Sequence, residues 1–209
     1  YSPGTANHPV DTGGGDIVIT EIMYKPSKSR YFENIDPLFT GDEFYWETGD
    51  DPEGEYIELY NKSIKAIDLS GWELYDGDGL LYGFMPGTII NSGSYLVVCA
   101  NAAAISSRYG IGNAIGDFQG GNGLSDGGER LILADVGNGR VIDIVDYGDE
   151  PPWPIAPDQE GVSLECLDPC SDNSQPANWR GFSRVSGYTH NWQYVQITGI
   201  FDYLYTKDL

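Results

Sequence analysis

Short stretches in which hydrophobic and polar residues alternate recur along most of the chain, and residues that favour turns separate them. In residues 55–60, Ile57 and Leu59 share one face of a predicted strand, while polar and aromatic residues share the other. The residue pattern predicts further strands at 16–24, 64–69, 70–75, 80–84, 88–90, 95–100, 129–134, 141–147, 161–167 and 192–201. Many short strands joined by turns indicate an antiparallel sandwich or barrel.

Two local signals are stronger than the rest. Asn138-Gly139 separates two of the predicted strands, and this dipeptide favours positive φ at both corners of a type I′ turn, so the sequence predicts a hairpin there. Asn101 can cap a helix over residues 102–109, and Gly110 can end it. The prediction is therefore an all-β protein with one short helix.

The predicted strands also suggest how the chain is organised. Residues 1–15 lack a hydrophobic period and are interpreted as a flexible lead-in, and folding is expected to begin at Asp16. Residues 16–180 form the predicted sandwich, within which the polar, aromatic and acidic stretch 27–54 is interpreted as a surface insertion. Residues 181–209 are expected to pack on the sandwich as a C-terminal extension.

Composition narrows the class of protein and its partners. The chain has 209 residues, 40% of them hydrophobic, which suits a single domain with elaborations. The formal charge of -21 repels phosphate backbones, so nucleic acid is a poor partner. Hydropathy predicts no membrane span, and any export signal is expected to have been removed. Of three cysteines, Cys99 is interpreted as buried, whereas Cys166 and Cys170 could close a small loop.

The order of the motifs resembles the lamin-tail domain family, in the form found in secreted prokaryotic proteins. The residues that carry the resemblance are 19–24, 55–61, 68–74, 93–98, 124–129, 147–149, 152–154, 163–165 and 178–180. The resemblance implies an immunoglobulin-like antiparallel β-sandwich and supplies no catalytic residues. It also implies roles in interaction, scaffolding and attachment of neighbouring domains. The stretches 27–54 and 181–209 depart from the family pattern by their length.

Two candidate binding features lie outside the predicted core. Phe44, Tyr45 and Trp46 form an aromatic triplet in the predicted insertion and are candidates for contacting a ligand or partner. Asp76 and Asp78, spaced by glycine, could offer carboxylates to a calcium ion, although the same residues also simply make turns. Trp72 and Trp153 are predicted to be structural, and the glycosylation sequon at Asn61 is interpreted as a turn.

The residue types present give little support to a catalytic function. Two histidines, one of them in the lead-in, leave a serine or cysteine hydrolase without a base. Glycoside hydrolysis needs two facing carboxylates, and the candidates are Glu21, Glu58, Glu129 and Glu165. The first hypothesis is an exported, non-catalytic module of the extracellular space or cell envelope that binds a protein or cell-surface polymer. The alternatives are a carbohydrate-binding module and, third, a glycosidase.

Overall fold

Two β-sheets share the main hydrophobic core. The computed structural model describes residues 15–26, 30–32, 45–47, 51–119, 123–181, 196–197 and 200–201. The strands are β1 (Ile17–Met23), β2 (Arg30–Phe32), β3 (Tyr45–Glu47), β4 (Tyr56–Asn61), β5 (Ile67–Asp68), β6 (Glu73–Tyr75), β7 (Leu80–Gly83), β8 (Ile89–Ile90), β9 (Tyr95–Cys99), β10 (Ala114–Ile115), β11 (Gly128–Asp135), β12 (Arg140–Gly148), β13 (Leu164–Cys166), β14 (Trp179–Gly181), β15 (Gln196–Ile197) and β16 (Ile200–Phe201). The predicted all-β, immunoglobulin-like class is confirmed.

The larger sheet has six strands in the order β10-β9-β4-β1-β13-β14. All neighbours are antiparallel except β10 and β9, which run parallel. Ile57 of β4 lies opposite Ile22 of β1 on one side and Val98 of β9 on the other, and all three are fully buried in the main core. The alternation seen in the sequence therefore sets the inward face of this sheet.

The smaller sheet has four strands in the order β12-β11-β6-β7. Its inward leucines include Leu74, Leu131 and Leu133, each fully buried against the first sheet. Burying one such side chain contributes roughly 1.5–3 kcal/mol relative to leaving it in water. The shared core thus accounts for the sandwich architecture.

The predicted hairpin is β11 and β12, but its turn differs from the prediction. Val136–Asn138 form a single 3-10 turn, and Gly139 alone takes the left-handed conformation, at φ 64°. Asp135 causes the difference, since its side chain accepts hydrogen bonds from the backbone N–H of Asn138 at 3.2 Å and from its amide at 2.7 Å. The predicted type I′ turn was wrong, because hydrogen bonds to the Asp135 side chain stabilise a different turn conformation.

Helix α1 (Ala102–Tyr109) lies where the sequence predicts the short helix. The Asn101 side chain accepts a hydrogen bond from the backbone N–H of Ala104, and Gly110 ends the helix with φ 66°. Ile105 of the helix packs on the outward face of the larger sheet, in a second cluster with Met23, Tyr56 and Val97. A second helix, α2 (Ala156–Glu160), is a turn of five residues.

Several finer predictions are corrected or refined. Residues 196–197 and 200–201 are two short strands paired with each other, so the single strand predicted over 192–201 is wrong there. Cys166 and Cys170 are both free thiols, the first buried and the second exposed, and Cys99 is buried as predicted. Trp72 is only partly buried at the edge of the core rather than filling it.

Candidate functional site

Three long connections leave or enter the sheets at one end of the sandwich, where their described parts lie close together. They join β1 to β4, β10 to β11, and β12 to β13, as the strand ends Met23, Tyr56, Gly128, Gly148 and Leu164 show. We call this region the acidic end and define it as Tyr24, Lys25, Glu55 and residues 123–129 and 147–158. In immunoglobulin-like sandwiches such clustered loops are the usual binding surface.

Lys25 lies among carboxylates from two of these connections. Its ammonium is 2.6 Å from Asp158 Oδ1 and 3.8 Å from Asp126 Oδ2. Asp149 and Glu150 continue the acidic surface, and Glu150 is exposed. The acidic end therefore combines one lysine with six acidic residues and presents a surface suited to a cationic partner.

Two tyrosine rings form the floor of the acidic end. Tyr24 stacks on Tyr147 with ring centroids 4.9 Å apart, and this contact joins the two sheets. Burial raises the pKa of Tyr24 well above its ordinary value, and the charges of Asp158, Asp149 and Asp126 raise it further. Tyr147 donates a hydrogen bond to the carbonyl of Ser125 at 2.8 Å. Both rings remain neutral phenols and act as rigid supports for the loops.

Two glutamates hold residues 123–126, which we call the 123–126 loop. Glu55 Oε2 accepts a hydrogen bond from the backbone N–H of Leu124 at 2.7 Å. Glu129 Oε1 accepts from Ser125 N–H at 2.8 Å and from the Tyr147 hydroxyl at 3.1 Å. Burial, opposed by the Leu124 hydrogen bond and aided by the charges of Asp126 and Glu129, raises the pKa of Glu55 to about 7. The loop is thus held by two carboxyl groups, that of Glu55 just before β4 and that of Glu129 in β11.

The predicted calcium ligands lie beside the acidic end, in the turn between β6 and β7. Asp76 Oδ1 accepts hydrogen bonds from the backbone N–H groups of Asp78 and Gly79, both at 2.8 Å. Gly77 N–H donates to Glu129 Oε2 at 3.1 Å, which ties the turn to β11. Within the described residues no three His, Cys, Asp or Glu side chains gather as a metal site. Calcium binding by Asp76 and Asp78 stays a prediction.

The aromatic triplet is only partly within the described structure. Phe44 lies outside the described residues, while the backbone of Tyr45 and Trp46 belongs to β3. The β2–β3 ladder places Tyr31 opposite Trp46 and Phe32 opposite Tyr45. The role of the triplet in contacting a ligand or partner therefore stays a prediction.

Three of the four candidate hydrolase glutamates form a row across the larger sheet. Glu21 of β1 is in register with Glu58 of β4 and with Glu165 of β13, and all three are buried. Tyr56 and Ser163 donate hydrogen bonds to Glu21 Oε1 at 2.7 and 2.6 Å, Thr20 donates to Glu58 Oε1 at 2.7 Å, and Arg180 donates to Glu165 at 2.6 Å. Glu129 lies apart from the row, at the acidic end.

Asn61 is occupied by structural contacts. It is fully buried, and its amide donates hydrogen bonds to the carbonyls of Lys65 at 2.7 Å and Ile90 at 2.8 Å. Its side-chain oxygen accepts from Ser63 N–H at 2.9 Å. Since the amide nitrogen that a glycan would modify is buried and bonded, the turn interpretation of this sequon is supported.

Comparison with known protein families shows which family the chain resembles. The Lamin Tail Domain family model matches residues 11–149. The chain belongs to the Lamin Tail Domain family. This membership supports an interaction or structural role for the β-sandwich. No curated protein matches the chain. Among the described residues, no helix is long and apolar enough to cross a membrane.

The lamin tail domain's acidic end was not found from the sequence, although most of its residues are in recognisable motifs. Glu55 and Leu124 are separated by 69 positions, and Lys25 and Asp158 by 133. Neither periodicity nor spacing links residues so far apart. The available signal was that acidic residues recur next to glycine and proline in the long connections. This composition predicts loops, but it does not predict which loops lie together in the folded protein.

Proposed function

We propose that this lamin tail domain is an exported, non-catalytic interaction module of the extracellular space or cell envelope. In this proposal the acidic end contacts a protein or a cell-surface polymer that carries positive charge. The observation that carries the proposal is the difference between the two ends of the sandwich. At one end, acidic residues of the long connections lie around Lys25, whereas most connections at the other end are short turns. The exception at that other end is the connection 167–178 between β13 and β14.

The hydrogen bonds of the candidate glutamates support a non-catalytic role. Glu21, Glu58 and Glu165 are buried, and each accepts hydrogen bonds from side chains of the same sheet and its flanking residues. A glycosidase needs its carboxyls in a cleft open to a sugar chain. We therefore assign these glutamates to the stability of the sheet.

Site-specific photo-crosslinking in the cells that produce the protein tests the proposal. Ile155, 43% exposed, lies at the acidic end, and Val136, 46% exposed, lies at the opposite end, so the two positions are matched for exposure. A photoreactive residue at Ile155 is expected to capture a partner, and one at Val136 is not. Capture should fall when salt screens the acidic surface. Equal capture from both positions, or from neither, would contradict the proposal.

Carbohydrate binding is the second candidate. The β2–β3 ladder favours it, because its register pairs two aromatic residues on each strand, Tyr31 with Trp46 and Phe32 with Tyr45. Aromatic residues are a common feature of sugar-binding surfaces. Binding on a glycan array that is lost with Trp46→Ala would support this function, and an array without binders would count against it.

A further inference from the structure

The carboxyl group of Glu55 is enclosed between the start of β4 and the 123–126 loop. Glu55 is 6% exposed, and its Oε2 accepts the hydrogen bond from Leu124 N–H at 2.7 Å. Gly123 rests so closely on the carboxyl that a Cβ there would overlap both of its oxygens. The loop therefore packs directly on a titratable group.

The charged groups facing Glu55 are mainly acidic. Asp126 of the loop and Glu129 of β11 both disfavour its ionised form, while Tyr147 of β12 is a neutral phenol close enough to be affected by Glu55. Two cations from neighbouring segments are engaged by other carboxylates. Lys25 pairs with Asp158 and Asp126, and Arg108 of α1 pairs with Asp51. The ionised form of Glu55 is thus poorly compensated in the docked state.

We propose that protonation of Glu55 controls the docking of the 123–126 loop. With a neutral carboxyl the loop lies on Glu55 as described, and ionisation shifts the equilibrium toward an undocked loop in which the carboxylate reaches water. Loop docking would in turn regulate partner contact at the acidic end, and this consequence rests on the proposed function. The titration of Glu55 and the docking of the loop do not depend on the proposed function.

The direction of the effect follows from linkage between proton binding and docking. Burial raises the pKa of Glu55 from an ordinary value of 4.5 to about 7 when the loop is docked. A group whose pKa is raised on docking favours the docked state fully below pH 4.5 and loses that contribution as the pH rises to about 7. Across this window the docking constant should fall about tenfold per pH unit and then level off.

Hydrogen exchange of the Leu124 amide measures this equilibrium. Its protection factor, corrected for the intrinsic exchange rate at each pH, is expected to fall about tenfold per unit between pH 5 and pH 7 in the wild-type chain. In Glu55→Gln, which keeps the shape and the acceptor but cannot ionise, the protection factor should not change with pH. Glu53→Gln, at an exposed carboxyl two residues away, is the matched control and should retain the wild-type slope.

Two outcomes would overturn the proposal. One is a wild-type protection factor that is independent of pH, and the other is an equal slope in Glu55→Gln. A direct titration of the Glu55 side-chain carbon by NMR needs no variant, and a midpoint below about 5 would also overturn it. Gly123→Ala should push the loop from Glu55 and move that midpoint toward the ordinary value. If crosslinking from Ile155 fails while this titration is observed, the proposed function is wrong and the inference stands.

Discussion

The two ends of the sandwich are built by contacts of different range. At the turn end, which we define as residues 61–66, 90–94 and 135–139, polar side chains mostly bond backbone a few residues away. Asp135 binds Asn138, and Asn61 binds Ser63 and Lys65. The longer contacts at this end, Asn61 with Ile90 and Ser92 with Ser63, span 29 positions. At the acidic end, Glu55 binds Leu124 and Lys25 binds Asp158, contacts that join distant segments.

The contacts at the two ends therefore differ in how much they contribute to stability and in how they respond to pH and salt. Turn-end contacts satisfy buried backbone groups, so their loss leaves unpaired polar atoms inside the protein. Acidic-end contacts hold loops from distant segments, one of which adds Leu124 to the main core, and like charges oppose these contacts. We therefore expect substitutions at the turn end to unfold the domain, and changes of pH or salt to act mainly at the acidic end.

The largest effect should come from Asn61→Ala at the turn end. The change leaves the carbonyls of Lys65 and Ile90 without their donor, and it should lower the free energy of unfolding by about 4 kcal/mol. Urea denaturation measures the loss. Glu150→Ala, at an exposed position of the acidic end, should cost less than about 0.5 kcal/mol. Similar losses in the two variants would remove the distinction between the ends.

Glu55→Gln should give the next largest effect, and only as the pH rises. Because the folded pKa of Glu55 is about 7 against an ordinary 4.5, the wild type should lose about 3 kcal/mol relative to the variant between pH 4.5 and pH 7. Urea denaturation of both proteins at a series of pH values checks this. A difference in stability that stays constant with pH would show that Glu55 is ionised normally.

Lys25→Ala should destabilise the acidic end moderately. Removing the ammonium leaves Asp158 and Asp126 close together without their shared cation, which should cost about 1 kcal/mol at low ionic strength. Thermal unfolding in rising sodium chloride measures the change. The difference from wild type should shrink in 0.5 M salt, because the added ions screen these charges over a shorter distance than in dilute buffer. A loss that salt does not reduce would indicate lost packing instead.

Calcium binding at Asp76 and Asp78 should give the smallest effect. Asp76 already accepts two backbone hydrogen bonds, so a cation there would stabilise the turn by only about 0.5–1 kcal/mol at concentrations near a millimolar Kd. Calorimetry in chelated buffer measures the binding heat, which should vanish in Asp76→Asn with Asp78→Asn. Without binding heat in the wild type, the segment is only a turn.

Much of the fold was predictable because local signals agreed with one another. The alternation around Ile57 and Leu59 gave a core strand, and Asn101 and Gly110 gave both ends of α1. The hairpin of β11 and β12 was predicted, but its turn type was not, because the Asp135 side chain competes with the preference of Asn138-Gly139. Local preference fails where a neighbouring side chain offers the backbone a better hydrogen bond.

The sequence by itself determined the inward faces of strands such as β4 and where the chain turns, since both follow from a period of two and from backbone preferences. Tertiary structure alone decided that Glu21, Glu58 and Glu165 form one row and that Glu55 lies under the 123–126 loop. These arrangements depend on strand order and on burial. The burial that raises the pKa of Glu55 exists only once segments 69 positions apart have packed together.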